Sequence, residues 1–237
     1  MGKRLTVQRR GKGSPMFRSP SHKHVGRAAH PSFKTDAVKG KITNILHCSG
    51  HSAPLMSIKW ESGEEQLTIA PEGVRINDSI GIGTKDDNAG STMQLKNIPE
   101  GTLIYNIESI PGDGGKFARS SGTFAKVLAK QGNQISIMLP SKKQKLFDPN
   151  CRATLGVVAG GGRPEKPLLK AGTVFFKYRS KTKVWPVVCG QSQNAVEHPH
   201  GGARSSKKNH PDIARRFAPP GAKIGKIRPR RTGRKGR

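Results

Sequence analysis

Short strand-like runs that mix apolar and polar residues occupy the first half of the chain. They cover residues 37–48, 55–60 and 66–70, and the turn-rich segments CSGHSAP and ESGEE lie between them. Such runs, bounded by glycine, proline, serine and acidic residues, are typical of strands joined by tight turns. The pattern predicts a first small β-barrel over residues 35–90.

A second group of strand-like runs follows. Its apolar residues alternate with other residues, first at Leu103, Tyr105 and Ile107 and then at Ile135, Ile137 and Leu139. Residues 123–129 are also β-prone, and glycine-rich breaks at 111–115, 132–133 and 160–162 supply turns. We therefore predict a second small barrel over residues 91–170, with one short helix near 165–171.

No periodic apolar face can be traced in either end of the chain, and both ends are strongly basic. The net charge is +9 over residues 1–34, −3 over 35–90, +7 over 91–170 and +15 over 171–237. The predicted fold class is therefore mainly β, with two small barrels flanked by extended basic N- and C-terminal arms.

The overall charge indicates the kind of partner. The 237 residues include 43 Lys and Arg against 15 Asp and Glu, which gives a net charge of +28. Charge of one sign on this scale is self-repulsive and suits a polyanion such as a nucleic acid. An apolar span of roughly 18 residues, which a membrane helix needs, is absent from the sequence, and so is a signal-peptide core. We expect a cytoplasmic protein that does not bind a membrane.

The three cysteines, Cys48, Cys151 and Cys189, are odd in number and widely spaced. This pattern argues against a disulfide framework and fits a reducing compartment. We expect free thiols that are mostly buried.

The type of nucleic acid follows from what accompanies the charge. Glycine and proline between the cations let an arm enter narrow crevices, and arginine both grips phosphate and stacks on bases. Helix-turn-helix, zinc-finger, basic-zipper and aromatic ribonucleoprotein patterns are all missing from the sequence. The prediction is structured RNA, bound by these residues of the arms: Arg9, Arg10, Lys12, Arg18, His22, Lys23, Arg27, Arg204, Lys207, Lys208, Arg215, Arg216, Arg230 and Arg231.

Two glycine-rich loops superficially resemble nucleotide sites. The loop GDGGK ends at Lys116 but lacks the spacing of a P-loop and the Ser or Thr after the lysine, and Gly160 to Gly162 before Arg163 do not match a dinucleotide fingerprint. Close approach to an RNA backbone explains both loops more simply, so Lys116 and Arg163 are predicted RNA ligands. We predict no cofactor, apart from magnesium ions that folded RNA brings with it.

Histidines raise two chemical alternatives. His47, Cys48 and His51 lie close together, but the chain has no C-x-x-C pair, so no metal site is predicted. Glu197 precedes His198 and His200 in EHPHGG, which an acid-base pair could use. The simpler interpretation is that the imidazoles hydrogen-bond phosphate or 2′-hydroxyl groups, and we predict no catalytic residue.

Three segments together resemble one protein family. They are NIPEGTLIYNIESIPGDGGKFARSSGT at 97–123, CRATLG at 151–156 and NAVEHPHGGARSSKK at 194–208. They are similar to the universal second protein of the large ribosomal subunit, and the likeness extends from residue 9 to the basic C-terminus. The N-terminal RGKGSPMFRSPSHKHVG resembles the archaeal and eukaryotic branch.

The resemblance implies an OB-fold over residues 35–90, an SH3-like barrel over 91–170, and tails buried in large-subunit ribosomal RNA. It also implies that the protein contacts neighbouring ribosomal proteins, takes part in association with the small subunit and has an extension that reaches toward the peptidyl transferase centre. By the same likeness Arg119 is an RNA-binding residue, and His200 lies near the catalytic RNA. His51 is a departure, because many relatives have arginine at this turn, and a neutral imidazole gives a weaker contact.

Two other classes remain open from the sequence. One is an RNA-processing enzyme that uses His198 or His200 with Glu197, and the other is a general nucleic-acid chaperone or DNA compactor. Cleavage of labelled RNA would identify the first, and equal binding to duplex DNA would identify the second.

Overall fold

The pattern of short strands is realised in a computed structural model that describes residues 2–31, 37–83, 88–203 and 213–227. The predicted RNA ligands Arg204, Lys207, Lys208, Arg230 and Arg231 lie outside these residues. The chain divides into two compact units. We call Ser21–Leu168 the sheet unit, and Met1–Pro20 with Leu169–Arg237 the tail unit.

The described residues of the sheet unit form ten strands. They are β1 (Val38–Leu46), β2 (Leu55–Trp60), β3 (Glu65–Ile69), β4 (Ser79–Ile82), β5 (Thr92–Gln94), β6 (Leu103–Tyr105), β7 (Ala125–Gln131), β8 (Gln134–Met138), β9 (Gln144–Phe147) and β10 (Arg152–Leu155). They form one continuous sheet in the order β3-β2-β1-β4-β5-β10-β6-β7-β8-β9. The mainly β fold class is confirmed, whereas closure of each half into a barrel stays a prediction.

The strand β2 is largely buried, and two other strands of the sheet, β1 and β7, contain β-bulges. In β2 every residue except Ser57 and Lys59 is buried, and β1 bulges between Ile42 and Asn44. A second bulge lies in β7 between Val127 and Ala129. Bulges add twist and bend a sheet, which lets short strands wrap around a core.

Three apolar clusters fill the sheet unit. One lies in the first half around Ile42, Ile58 and Trp60, and another lies in the second half around Ile104, Val127 and Ile137. The third cluster joins the halves, because it combines residues of both: Ala28, Cys48, Ala53, Leu55, Ile69, Tyr105 and Val158. The Tyr105 hydroxyl donates a hydrogen bond to the Ile69 carbonyl at 2.9 Å within this cluster.

The residues before β1 lie against the sheet. The Ala29 amide donates to the Leu67 carbonyl at 3.2 Å, and the Gln66 side-chain amide donates to the Ala29 carbonyl at 2.8 Å. The first bond uses a backbone carbonyl of β3 and the second a side chain of β3, so this segment covers what would otherwise be an exposed sheet edge.

The described residues of the tail unit form few helices and strands. They include α1 (Thr6–Gly11), α2 (Ala171–Arg179) and the two-residue strands β11 (Ile213–Ala214) and β12 (Lys226–Ile227), which pair in parallel. Neither helix has a buried residue among those described. The Ser19 hydroxyl donates to the Ser180 carbonyl at 2.8 Å, which ties the N-terminal residues to the end of α2.

The helix predicted near residues 165–171 is wrong in position. Pro164 and Pro167 lack amide donors and disfavour helical geometry in the residue before them, so a helix cannot run through this segment. The observed helix α2 begins at Ala171, beyond both prolines.

Candidate nucleic-acid interface

Most of the predicted RNA-binding side chains that the structure describes lie at the surface. The exposed ones are Arg9, Arg10, Lys12, Arg18, His22, Lys23, Arg27, Lys116, Arg163, Arg215 and Arg216. His51, Arg119 and His198 are partly buried, and His200 is buried. The predicted ligands therefore fall into two groups: exposed side chains that a partner could reach, and side chains that pack within the protein.

Two carboxylates, those of Glu108 and Asp113, accept hydrogen bonds from backbone amides in and beside the loop GDGGK. The carboxylate of Glu108, which is fully buried, accepts hydrogen bonds from the amides of Gly112 and Gly114, each at 3.3 Å. Asp113 accepts bonds from the amides of Ser109 and Gly115, each at 2.9 Å. The loop is thus ordered before any partner binds.

Lys116 is the cation at the end of this loop. Its ammonium group lies 3.4 Å from the Asp113 carboxylate and its side chain is largely exposed. Burial by itself would raise the pKa of Asp113, but the loop amides that bond to it, together with Lys116, lower that pKa below its ordinary value. Asp113 therefore stays ionised and keeps the loop in shape.

A buried ion pair supports the same loop from β10. Arg152 donates to the Glu108 carboxylate from two nitrogens, at 2.8 and 3.1 Å, and its third nitrogen donates to the Pro31 carbonyl at 2.6 Å. Burial opposes ionisation of Glu108, but the hydrogen bonds and charge of Arg152 lower its pKa below the ordinary value. Removing one partner of such a buried ion pair strongly lowers the stability of the fold, because the other charge stays buried without compensation.

His30 lies beside this pair and is fully enclosed. Its ring Nε2 is 2.5 Å from the Asn106 carbonyl, to which it donates, and its backbone amide donates to the Gly114 carbonyl at 3.0 Å. Burial lowers the pKa of His30 from 6.5 to about 4, so the ring is neutral at physiological pH. Gly115 has a φ of +94°, and a Cβ there would collide with Asn106.

Arg119 also faces the protein. Its guanidinium donates to the Gly115 carbonyl and, at 2.6 Å, to the Ala28 carbonyl. Burial and the charge of Arg27 lower its pKa from the ordinary value. Arg119 therefore links the segment before β1 to the glycine-rich loop. Its contact with RNA stays a prediction.

Two further loops carry predicted ligands. The His51 ring nitrogen Nδ1 lies 3.2 Å from the Cys48 sulfur, and the Arg163 side chain donates to the Ser121 hydroxyl at 3.1 Å. The backbone near Arg163 is crowded, because a Cβ on Gly122 would lie 2.7 Å from Gly161. Only glycine permits this close approach.

In the tail unit the EHPHGG segment forms a tight turn. The His200 amide donates to His198 Nδ1 at 3.0 Å, and the two rings are 5.2 Å apart in an edge arrangement. Burial and the neighbouring His200 lower the pKa of His198, so its ring is neutral near pH 7. A Cβ on Gly201 would collide with the carbonyls of Gln193 and Asn194, so this turn requires glycine.

The contacts of Glu197 and His198 do not support an acid-base pair between them. Glu197 lies 3.7 Å from the Lys3 ammonium, while His198 Nδ1 is used by the backbone. The Lys3 amide also donates to the Val196 carbonyl at 2.7 Å. N-terminal residues and the EHPHGG turn together line an open cavity of about 220 Å³.

The described part of the chain contains neither a cluster of metal ligands nor a membrane-spanning helix. Within it no three His, Cys, Asp or Glu side chains cluster closely enough to bind a metal ion. Its helices are also too short and too polar for any of them to cross a bilayer. All three cysteines are free, and Cys48 and Cys151 are buried whereas Cys189 is exposed.

Sequence reasoning missed the buried groups that shape the interface, namely His30, Asn106, Glu108 and Arg152. One signal was present, because Glu108 and Asp113 are the only acidic residues between positions 101 and 147 and they flank the glycine-rich loop. Isolated acids in a basic stretch indicate a structural partner. The identity of that partner, Arg152, cannot be read from the sequence.

The fold and these sites define a class: a mainly β protein with ordered, cationic loops and a strongly basic tail. Comparison with known proteins gives the family. Residues 88–216 match the family model for the C-terminal domain of ribosomal proteins L2. The large ribosomal subunit protein uL2 of Nanoarchaeum equitans is 48% identical over 99% of each chain. Those of Methanothermobacter thermautotrophicus and Methanobrevibacter smithii are 47% and 45% identical, over 99% of this chain and all of the relative.

The chain belongs to the uL2 family of the large ribosomal subunit, in its archaeal-type branch. This confirms the family and branch predicted from the three motifs. A structural ribosomal protein is not an enzyme, so membership also confirms the prediction of a non-enzymatic role in the cytoplasmic ribosome.

Proposed function

We propose that this protein binds large-subunit ribosomal RNA through two cooperating surfaces. The loops of the sheet unit present Lys116 and Arg163, and the tail unit presents the cations of α1 and of the segment that follows β11. One observation carries the proposal: apart from Arg119, the predicted Lys and Arg ligands that the structure describes are exposed, and the loop that bears Lys116 is ordered by the protein's own carboxylates. An ordered cationic loop recognises RNA shape with little loss of conformational entropy.

The domains have separate parts in this proposal. Residues 35–90 are an OB-fold and residues 91–170 an SH3-like barrel, and both dock on folded RNA. The arms, residues 1–34 and 171–237, run between RNA helices and neutralise phosphates that otherwise repel each other. This role supports assembly of the large subunit, together with neighbouring ribosomal proteins and magnesium ions bound by the RNA.

Two finer roles follow from family membership and remain part of the proposal. The protein contributes to association with the small subunit, and His200 helps to position RNA near the peptidyl transferase centre. The burial of His200 and the internal hydrogen bond to His198 favour positioning over proton transfer. Ribosomes with His200→Gln should therefore keep their pH profile of peptide-bond formation if they assemble. Normal assembly with a lost rate and a shifted pH profile would contradict this role.

The main experiment measures binding of the full chain to large-subunit ribosomal RNA and to duplex DNA across a salt series. We expect selective binding to the RNA and an affinity that falls steeply as salt rises, because each neutralised phosphate releases counterions. Equal affinity for duplex DNA would indicate a general polyanion binder. Insensitivity to salt would contradict the cationic mechanism, and cleavage of the labelled RNA would favour the enzyme alternative.

A further inference from the structure

Helix α2 presents an apolar surface that its own unit does not cover. Phe176 is 66% exposed, Leu169 just before the helix is 90% exposed, and none of the nine residues of α2 is buried against the described residues. A surface helix normally buries its apolar stripe against a core. Among the described residues, nothing covers most of the Phe176 ring, whereas Tyr178 of the same helix stacks on Trp185.

The neighbours of Phe176 leave room for a flat group. The rings of Phe175 and Phe176 meet edge to face with centroids 5.5 Å apart. Gly172 lies one helical turn before Phe176, and a Cβ built on Gly172 would meet nothing within 4 Å. Helical side chains lean toward the N-terminus of the helix, so the missing side chain at Gly172 opens space beside the Phe176 ring.

Charge around the ring indicates what could enter. Residues 169–183 contain five Lys and Arg and no Asp or Glu. The Arg179 guanidinium lies 6.0 Å from the centre of the Phe175 ring, so a cation borders the aromatic pair. An apolar protein surface would gain nothing from this charge, whereas a nucleotide offers a flat base to the ring and a phosphate to the cations.

We propose that Phe176, supported by Phe175 and Arg179, is a stacking site for an unpaired base of ribosomal RNA. This inference rests on the proposed function and adds a ligand chemistry to it. The base stacks on the exposed ring in the space above Gly172, while the guanidinium of Arg179 meets the adjoining phosphate. An unpaired nucleotide is required, because a base inside a duplex has no exposed face.

The test uses the full chain with two probes, large-subunit ribosomal RNA and a single-stranded oligoadenylate that carries 2-aminopurine. Phe176→Leu keeps an apolar side chain but removes the ring, and it should weaken binding to both probes about tenfold. Phe176→Trp should bind at least as tightly as the wild type and quench the 2-aminopurine. The salt dependence should be unchanged in both variants, whereas Arg179→Gln should reduce its slope by about one.

Two further variants separate stacking from general apolar contact and from misfolding. Val187→Ala removes an exposed apolar group without a ring and should bind as the wild type does. Gly172→Leu fills the open space beside the ring, leaves residue 176 as phenylalanine and raises helix propensity, so it should weaken binding with the fold intact. Circular dichroism and thermal unfolding of each variant verify the fold.

The outcomes distinguish this inference from the proposed function. If the wild type does not prefer ribosomal RNA, the proposed function itself fails. If the wild type does prefer it but Phe176→Leu binds equally well, the stacking site alone is overturned. Equal losses of RNA affinity in Phe176→Leu and Phe176→Trp would also overturn it. Binding to RNA-free ribosomal proteins that depends on Phe176 would overturn it too, because it would indicate a protein partner.

Discussion

The two units of this chain differ in what holds them together. The sheet unit has a net charge of +6 and contains all three apolar clusters. The tail unit has 24 Lys and Arg against two acids, and Ala214 is the only apolar side chain buried among its described residues. The first unit is thus stabilised by its own core, whereas the second has the composition of a segment that needs a partner. One chain thus combines a scaffold that has its own core with a basic segment for which we propose RNA as the partner.

The largest effect that would sharpen this contrast concerns Glu108. Glu108→Ala removes the acceptor for the Gly112 and Gly114 amides and leaves the Arg152 guanidinium buried without its carboxylate. We expect the free energy of unfolding of the sheet unit to fall by about 3–5 kcal/mol. Urea unfolding monitored by far-ultraviolet circular dichroism measures it.

The matched change in the tail unit is Glu197→Ala, whose ion pair with Lys3 is largely exposed. Solvent screens such a pair, so we expect a change below about 1 kcal/mol. Comparable losses in the two variants would show that the units are stabilised alike and would break the comparison.

A pH effect comes next and concerns His30. Its pKa is about 4 in the folded protein and 6.5 ordinarily, so between these values the unfolded chain binds more protons than the folded one. Stability should therefore fall by about 3 kcal/mol as the pH drops from 6.5 to 4. Thermal unfolding over this range measures the slope.

His30→Gln provides the control, because its amide can still donate to the Asn106 carbonyl but does not titrate. The lowered pKa values of Glu108 and Asp113 act mainly below this window, where their protonation removes further stability. An unchanged slope in His30→Gln would refute the assignment to His30.

Arg119 tests whether a predicted RNA ligand is also part of the scaffold. Arg119→Lys cannot keep the bonds to both the Gly115 and Ala28 carbonyls, and we expect a loss of about 2 kcal/mol in the free energy of unfolding. Arg163→Lys, on an exposed residue, should change it by less than about 0.5 kcal/mol. Equal melting temperatures for these two variants would contradict the scaffold role.

The smallest effect on folding, and the clearest on RNA, is expected in the tail unit. The double variant Arg215→Gln and Arg216→Gln should weaken RNA binding about tenfold and reduce the salt slope by about two, with stability nearly unchanged. Lys142→Gln with Lys143→Gln removes two exposed charges from the sheet unit. Filter binding across a salt series compares the RNA affinity of the two double variants. A larger loss of affinity in the lysine variant would contradict the proposal that the Arg215 and Arg216 cations contribute more to RNA binding.

The strands with long alternating or β-branched runs were predictable, and β1, β2, β3, β6, β7 and β8 all fall where the sequence placed strands. The strands β4, β5, β9 and β10 were missed. Each has only three or four residues, and β9 is mostly exposed, so local patterns give little signal. Pairing with neighbours far along the chain selects them, as when β10 inserts between β5 and β6.

The sequence alone determined the family, the mainly β class and the division between balanced and basic segments, because composition and local periodicity are written along the chain. Only the tertiary structure decided which charged side chains form hydrogen bonds within the protein and which are exposed to solvent. Arg119 and Arg163 look alike in the sequence, yet the first donates to the Ala28 carbonyl, 91 positions away, and the second is exposed. Glu108, Arg152 and His30 meet only after folding, since their association depends on contacts between residues many positions apart. Burial and long-range hydrogen bonds are properties of three-dimensional proximity, which no local pattern encodes.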